Sequence, residues 1–157
     1  MSSIPKLDQL DLEIIAHLQR DGRKPLTEIA NDLGVSEGTV RNRLQRLLSE
    51  QVVQVIGLVN PIKLGFDAPA MIGVSVNPTQ LHEVAKAISE FQEVSYMSMV
   101  SGEFDLLVEV VCRDRLHLAS FISEQLHQIP GIVRTQTFLI LRTFKMAYGA
   151  VPITQGK

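Results

Sequence analysis

The sequence predicts an α+β chain in two parts, a helix-turn-helix module followed by a β-α-β-β-α-β unit. Three observations predict it. Residues 36–48 set an apolar stripe against an Arg/Asn/Gln face, directly after a helix that ends in Leu33-Gly34-Val35. Residues 70–144 change rhythm, switching between β-branched runs and stretches of helical period. Asn60-Pro61, Gly65 and Pro69 lie between the two as a connector.

The first helix is expected over Leu7–Asp21. Asp8 caps it, Asp11 and Glu13 favour the positive end of its dipole, and Leu7, Leu10, Ile14, Ile15 and Leu18 form its buried stripe. The second runs from Pro25 to Leu33, with proline at its first position and Ile29, Ala30 and Leu33 inward. Arg23 and Lys24 stand at its start, more as solvated turn residues than as phosphate contacts. Gly34 supplies the left-handed turn. Ser36 caps the third helix, in which Val40, Leu44, Leu47 and Leu48 share one face. Gly38, Thr39, Asn42, Gln45 and Arg46 point the other way, with Arg41 and Arg43 on the flanks. Arg pairs with guanine edges or phosphates, Asn and Gln with adenine, and Thr touches the thymine methyl. Gly38 lets the helix start approach a sugar-phosphate backbone. Arg-rich helix faces are more often merely solvated, so this stretch alone leaves both readings open. Val52–Val59, rich in β-branched residues, reads as a strand or strand pair, the wing of a winged helix-turn-helix.

In the second half, Ala70–Val76 is a strand. A helix follows to about Phe91, with Leu81, Val84, Ala85, Ile88 and Phe91 in register. Val94–Val100 and Phe104–Val111 are strands joined by Ser101-Gly102-Glu103. Asp114 opens a helix to Ile129 with Leu118, Ile122, Leu126 and Ile129 inward, and Val133–Phe144 is the last strand. This is the ferredoxin-like order, a four-stranded antiparallel sheet with both helices on one face. Met71, Met97, Met99, Leu107, Leu139 and Leu141 are the apolar candidates for the uncovered face, which is a dimerisation surface by default. The chain thus divides into a helix-turn-helix domain (1–52), a wing strand and connector (53–69), the sheet domain (70–146) and a tail (147–157).

Composition narrows the function classes. The 157 residues hold one cysteine, Cys112, which excludes an internal disulfide, suits a reducing cytoplasm and reads as a small buried hydrophobe. No apolar run is long enough to cross a bilayer, and the N-terminus lacks the apolar core of a signal peptide. Net charge is −2 and does not advertise nucleic acid. Residues 1–60 carry 7 Lys/Arg against 8 Asp/Glu, so DNA binding must rest on a local basic face made by Arg41, Arg43 and Arg46. Phosphate contacts supply most non-specific affinity, so one copy binds weakly and several must act together. His17, His82, His117 and His127 have no metal-ligand spacing with Cys112 or one another, and no phosphate loop, nucleophile elbow or carboxylate pair is present. Neither a metal nor a cofactor is expected.

Taken together, Leu7-Asp8-Gln9-Leu10-Asp11, Leu18–Arg23, Glu28-Ile29-Ala30, Leu33–Ser36, Val40–Leu44, Asn60-Pro61, Leu64-Gly65 and Gly102–Asp105 stand in an order and spacing that resemble the Lrp/AsnC transcriptional regulators. The resemblance covers roughly residues 6 to 146. It implies a cytoplasmic, nucleoid-associated, non-enzymatic protein that binds double-stranded DNA as a homodimer or octamer. It also implies an amino-acid effector held by the second half, called the RAM domain. The DNA-binding set is then Ser36, Gly38, Thr39, Arg41, Asn42, Arg43, Gln45 and Arg46. Arg41, Asn42, Arg46 and Thr39 read bases, while Arg43 and Ser36 hold phosphates. The effector set is Ser101, Gly102, Glu103, Phe104 and Asp105, facing Phe138, Leu139 and Ile140. Asp105 would take the ligand's ammonium, backbone amides of the glycine turn its carboxylate, and Phe138 with Leu139 its side chain. The alternative is that Gly102 only makes a turn and Asp105 only ties the loop. Two departures stand out: Pro25 replaces a hydroxyl cap, and Gln51 replaces the glycine that usually follows the recognition helix, where a left-handed conformation strains any side chain. Two rivals share the architecture. One is an effector-free architectural DNA-binding protein. The other is an enzyme of the sirohaem-decarboxylase kind, which needs histidines in the groove of the second half, whereas His82 and His117 here fall on helices, expected exposed.

Overall fold

The computed structural model describes residues 5–145 and divides them into two compact units, one up to Leu58 and one from Val59 to Lys145. The predicted tail 147–157 lies outside the described residues.

The first unit holds α1 (Gln9–Arg20), α2 (Leu26–Leu33) and α3 (Glu37–Ser49). A reciprocal capping box starts α1: the Asp8 carboxylate accepts the Asp11 N–H, and the Asp11 carboxylate accepts the Asp8 N–H, each at 3.0 Å. Pro25 stands at the N-cap of α2, one position earlier than expected. At the end of α2, Gly34 takes φ +65°, and the Val35 N–H donates back to the Ala30 carbonyl at 3.0 Å. Ser36 Oγ accepts the Thr39 N–H at 3.1 Å and starts α3. Ile14, Ile29, Ala30, Val40 and Leu47 are the buried core. The inward stripe of α3 is narrower than its sequence suggests, because Leu48 is exposed. Past Glu50, Gln51 sits at φ +56°. The Val52 N–H bonds to the Leu47 carbonyl at 2.9 Å and the Gln51 N–H to the Leu48 carbonyl at 3.1 Å. This is the same pair of turn bonds that Gly34 makes, here carried by a residue with a Cβ.

The expected wing strand is not formed. Residues 53–60 join no ladder and have no regular structure, and Val55, Ile56, Leu58 and Val59 are exposed. β-branched residues favour a pleated conformation only where a neighbouring strand receives their backbone groups, and the described sheet offers them none. Asn60 then caps a 3₁₀ turn over Pro61–Leu64 by accepting the Ile62 N–H at 3.1 Å.

The second unit contains β1 (Ala68–Val76), α4 (Leu81–Ser89), β2 (Val94–Met99), β3 (Leu106–Cys112), α5 (Arg115–Ser120) and β4 (Ile132–Leu139). The sheet is antiparallel throughout in the order β2-β3-β1-β4. Ala70, Ile72 and Val74 of β1 and Leu106, Val108 and Val110 of β3 face the helices and pack with Val84, Ile88, Leu118, Phe121 and Leu126. The helix predicted from Asp114 to Ile129 is only partly α-helical. After Ser120 it widens into a π turn over Phe121–Gln125 and tightens into a 3₁₀ turn over Leu126–Gln128. The five-residue step lets both Phe121 and Leu126 be wholly buried, with Ile122 at the margin.

Strand register corrects the expected open face. Directly paired residues point to the same side of a sheet. Met71 pairs with Phe138 and Gly73 with Leu107 and Gln136, so Met71, Leu107 and Phe138 belong to the uncovered side. Met97 pairs with the core residue Val108, and Leu139 with Ala70, so both turn toward the helices and pack there. Met99, opposite the buried Leu106, belongs to the helix side at the exposed edge strand, and Leu141 lies past the end of β4. The uncovered face is therefore apolar at Met71, Leu107 and Phe138 and polar at Gln136 and Arg134.

Candidate functional sites

α3 carries the first candidate site. Its outward residues Gly38, Arg41, Asn42 and Gln45 are exposed. A Cβ at Gly38 would meet only Ser36 Oγ, at 3.8 Å, so the helix start is open on its outer side. Arg41 pairs with Glu37 one turn earlier, an exposed ion pair of little worth that a better partner can replace. Ser36 and Thr39 bond to each other through their hydroxyls at 2.9 Å.

Arg43 and Arg46 behave differently. Both turn back to the start of α1. Arg43 Nη1 pairs with Asp8 at 2.5 Å and donates to Asp11 Oδ1 at 3.2 Å, while Arg46 Nη2 donates to Asp11 Oδ2 at 2.5 Å. Asp11 has 0% exposed side-chain surface, so these contacts neutralise a fully buried carboxylate. The Asp11 N–H hydrogen bond, and after it Arg43, hold the Asp8 carboxyl below its ordinary value. Asp8 and then Asp11 raise the Arg43 guanidinium above its own. The sequence left a sign of this pairing: two acids three apart at the start of one helix, and two arginines three apart on another. Lys24, expected as a solvated turn residue, is paired with Asp32 and reaches His17 Nδ1 at 3.1 Å.

The turn between β2 and β3 is the second candidate. Gly102 has φ +148°. Asp105 Oδ2 accepts the Val76 N–H at 2.8 Å, its own N–H donates to the Val74 carbonyl at 3.0 Å, and its carbonyl accepts the Val100 N–H at 3.0 Å. Phe104 lies against Gly73, where a Cβ would come within 2.6 Å of its ring, and meets Phe138 edge-on at 6.5 Å. The guanidinium of Arg134 stands 5.4 Å over the Phe104 ring and pairs with Glu103. Sequence reasoning missed Gly73 and Arg134, which come from strands distant in the chain. Of the predicted wall, Phe138 faces this cluster, but Leu139 points through the sheet to the helices, because neighbours on a strand alternate. Ile140 contributes its N–H to the Pro69 carbonyl at 2.9 Å. Ser101 is exposed beside the turn.

The histidines form no shared centre. His82 is exposed as expected. His117 is half-buried instead, its Nε2 at 3.0 Å from Glu93 and its Nδ1 accepting the Arg113 N–H. Burial pushes the Cys112 thiol up to about 11, which keeps it a protonated core residue. Among the described residues no group of three His, Cys, Asp or Glu side chains could hold a metal, and no helix is long and apolar enough to cross a membrane.

Comparison with known proteins joins the two units. The AsnC-type helix-turn-helix domain matches residues 7–48, and the Lrp/AsnC ligand binding domain matches residues 69–150. A helix-turn-helix and a ligand-binding sheet domain on one chain define a transcriptional regulator. An uncharacterised HTH-type transcriptional regulator of Pyrococcus furiosus is 36% identical over 146 residues, spanning 92% of this chain and 99% of its own. The chain belongs to the Lrp/AsnC family. Among solved structures, the leucine response regulatory protein of Mycobacterium tuberculosis superposes with a TM-score of 0.82 at 27% identity, over 93% of this chain and 100% of that one. A transcriptional regulator of Neisseria meningitidis, solved as a complex with L-Met, has the same fold (TM-score 0.85, 24% identity, 93% and 97% coverage).

Proposed function

We propose that this regulator binds operator DNA sequence-specifically as a dimer or octamer and responds to an amino acid at the Ser101–Asp105 turn. One observation carries the DNA reading: α3 presents Arg41, Asn42 and Gln45 outward while Val40 and Leu47 anchor it in the core. Ser36 and Gly38 bring the start of that helix to the phosphates, and Thr39 touches a base edge. Two copies pair through the uncovered sheet faces and place their recognition helices in major grooves about one helical turn apart. The effector reading rests on the ligand-binding domain spanning the turn and on the fold it shares with the L-Met-bound Neisseria regulator. Asp105 Oδ1 takes no hydrogen bond among the described residues, which leaves it for an ammonium, and Phe104 with Phe138 offers the apolar wall. Arg134 and Glu103 border the cluster. The protein works on DNA in the cytoplasm without catalysing a reaction, in keeping with relatives named transcriptional regulators.

The test is fluorescence anisotropy on fragments selected from genomic DNA, at fixed salt, with each of the twenty amino acids in turn. The expected result is a two-half-site preference and one amino acid that shifts affinity by roughly 5- to 150-fold, the range of ordinary allosteric coupling. Equal affinity for unrelated DNAs would overturn sequence specificity in favour of the architectural reading. Indifference to every amino acid would reduce the turn to a structural element.

A further inference from the structure

We propose that Arg43 and Arg46 are positioning residues: they clamp α3 to the start of α1 through Asp8 and Asp11, and leave base reading to Arg41, Asn42 and Gln45. The inference rests on α3 being the recognition helix, and departs from the expectation that all three arginines of that helix face DNA.

The argument starts at Asp11. A carboxylate taken wholly out of water is tolerated only where donors satisfy it, and breaking such a pair leaves an uncompensated charge. Asp11 has three donors: the Asp8 N–H, Arg43 Nη1 and Arg46 Nη2. Each arginine commits one end of its fork to the clamp, Arg43 Nη1 to Asp8 and Asp11 and Arg46 Nη2 to Asp11. Arg46 also has its Nε buried without a hydrogen-bond partner among the described residues, although its side chain as a whole is 38% exposed. A bidentate guanine contact needs two donors of the fork turned outward; with Nη2 on Asp11 and Nε buried, Arg46 would have to abandon a buried anion to make it. Arg41 has no such tie, since its partner Glu37 is exposed and sits on the same helix. Asn42 and Gln45 are exposed and uncharged. The two arginines are three residues apart on α3, the two aspartates three residues apart at the start of α1, and neighbours at that spacing lie on one helix face. The clamp therefore joins two helix faces at two points, which fixes rotation of α3 about its axis as well as its distance from α1. Rotation is what decides which side chains meet a groove.

Two kinds of measurement test this on the full chain. The first is binding to a wild-type-selected DNA site and to its single-base variants, across a salt series. Arg43→Gln leaves Arg46 to neutralise Asp11 and so preserves the fold. By leaving fewer molecules with α3 in its one binding-competent rotation, Arg43→Gln, Arg46→Gln and Asp11→Asn are expected to weaken every site variant by one common factor, with base preferences and salt slope unchanged. Arg41→Ala, Asn42→Ala and Gln45→Ala each flatten the preference at separate positions. If Arg43→Gln or Arg46→Gln flattens a position that Asp11→Asn leaves intact, the residue reads a base and the proposal fails. If either lowers the salt slope by about 0.9 while Asp11→Asn does not, it holds a phosphate and the proposal fails equally. The second is the melting temperature of the Asp11→Asn and Arg46→Gln single and double variants. The double variant is expected to lose less than the sum of the singles. Additive losses overturn the clamp whatever happens on DNA. Should the wild type show no base preference, the function proposed above fails, and the melting cycle alone judges the clamp.

Discussion

Asp11 and Asp105 sit at the hearts of the two candidate sites, one in each unit, and they are satisfied by opposite means. Asp11 is wholly buried and meets two guanidiniums and one backbone N–H. Asp105 is half-buried and meets one backbone N–H, that of Val76, through a single oxygen. The first is a buried ionic clamp, both of its oxygens already committed to cations. The second is a latch onto a single uncharged backbone donor, which holds a turn in shape and keeps one oxygen in reserve. A helix that must present a fixed face is served by the first arrangement, and a turn that must accept and release a small molecule by the second.

The largest expected effect breaks the clamp. Replacing both Arg43 and Arg46 by Ala leaves the buried Asp11 carboxylate uncompensated and should cost about 3–5 kcal/mol. The loss should show as collapsed hydrogen-exchange protection in α1 and α3 while β1 and β3 keep theirs. Asp105→Ala is the matching change in the other unit and should cost about 1.5–3 kcal/mol, the worth of one hydrogen bond to a charged group. It should read as faster exchange of the Val76 amide, and Asp105→Asn, which keeps an acceptor, should recover most of it. If Asn fails to recover, the charge itself matters and the contrast with Asp11 narrows. Gly73→Ala probes the latch from behind. Its methyl would stand 2.6 Å from the Phe104 ring, which must swing aside at about 1–3 kcal/mol, so the Phe104–Phe138 ring contact should disappear from NOE spectra. The smallest effect concerns the exposed end of the clamp. Asp8 has its carboxyl held below the ordinary 3.8, so its contribution is complete above that value and is lost as pH falls through the lowered one. Wild type and Asp8→Asn, which keeps a good N-cap, should differ in stability near neutrality and converge below pH 3.8.

Where the sequence was informative, it was so through local rules. The Asp8 and Ser36 caps, the Gly34 turn and the four-strand order follow from short-range chemistry and period, the left-handed Gln51 from the family resemblance, and most element boundaries move by only a few residues. Four features did not follow, each for a non-local reason. Arg43 and Arg46 find partners more than thirty residues earlier, which no helical wheel displays. Val52–Val59 has the composition of a strand but no described ladder to join. Leu139 and Met97 change faces because register is set by pairing, with a shift between Val94 and Tyr96 that composition does not reveal. The candidate effector cluster was half legible: Phe104 and Asp105 come from the motif and Phe138 from the family resemblance, whereas Gly73 and Arg134 enter only when β1 and β4 are laid side by side.

The π turn at Phe121–Gln125 bears on how this chain can change length. A regular α-helix returns to the same face after about four residues, yet five separate the buried Phe121 and Leu126. The segment therefore holds one residue in surplus, absorbed by a wider loop of backbone rather than pushed out as a bulge. Removing the exposed Ser123 would let that loop close to ordinary helical pitch with Phe121 and Leu126 still against the sheet. A deletion inside a core helix, ordinarily ruinous because it rotates everything downstream, is here absorbed in place. The helix carries, in its backbone, room to lose one residue.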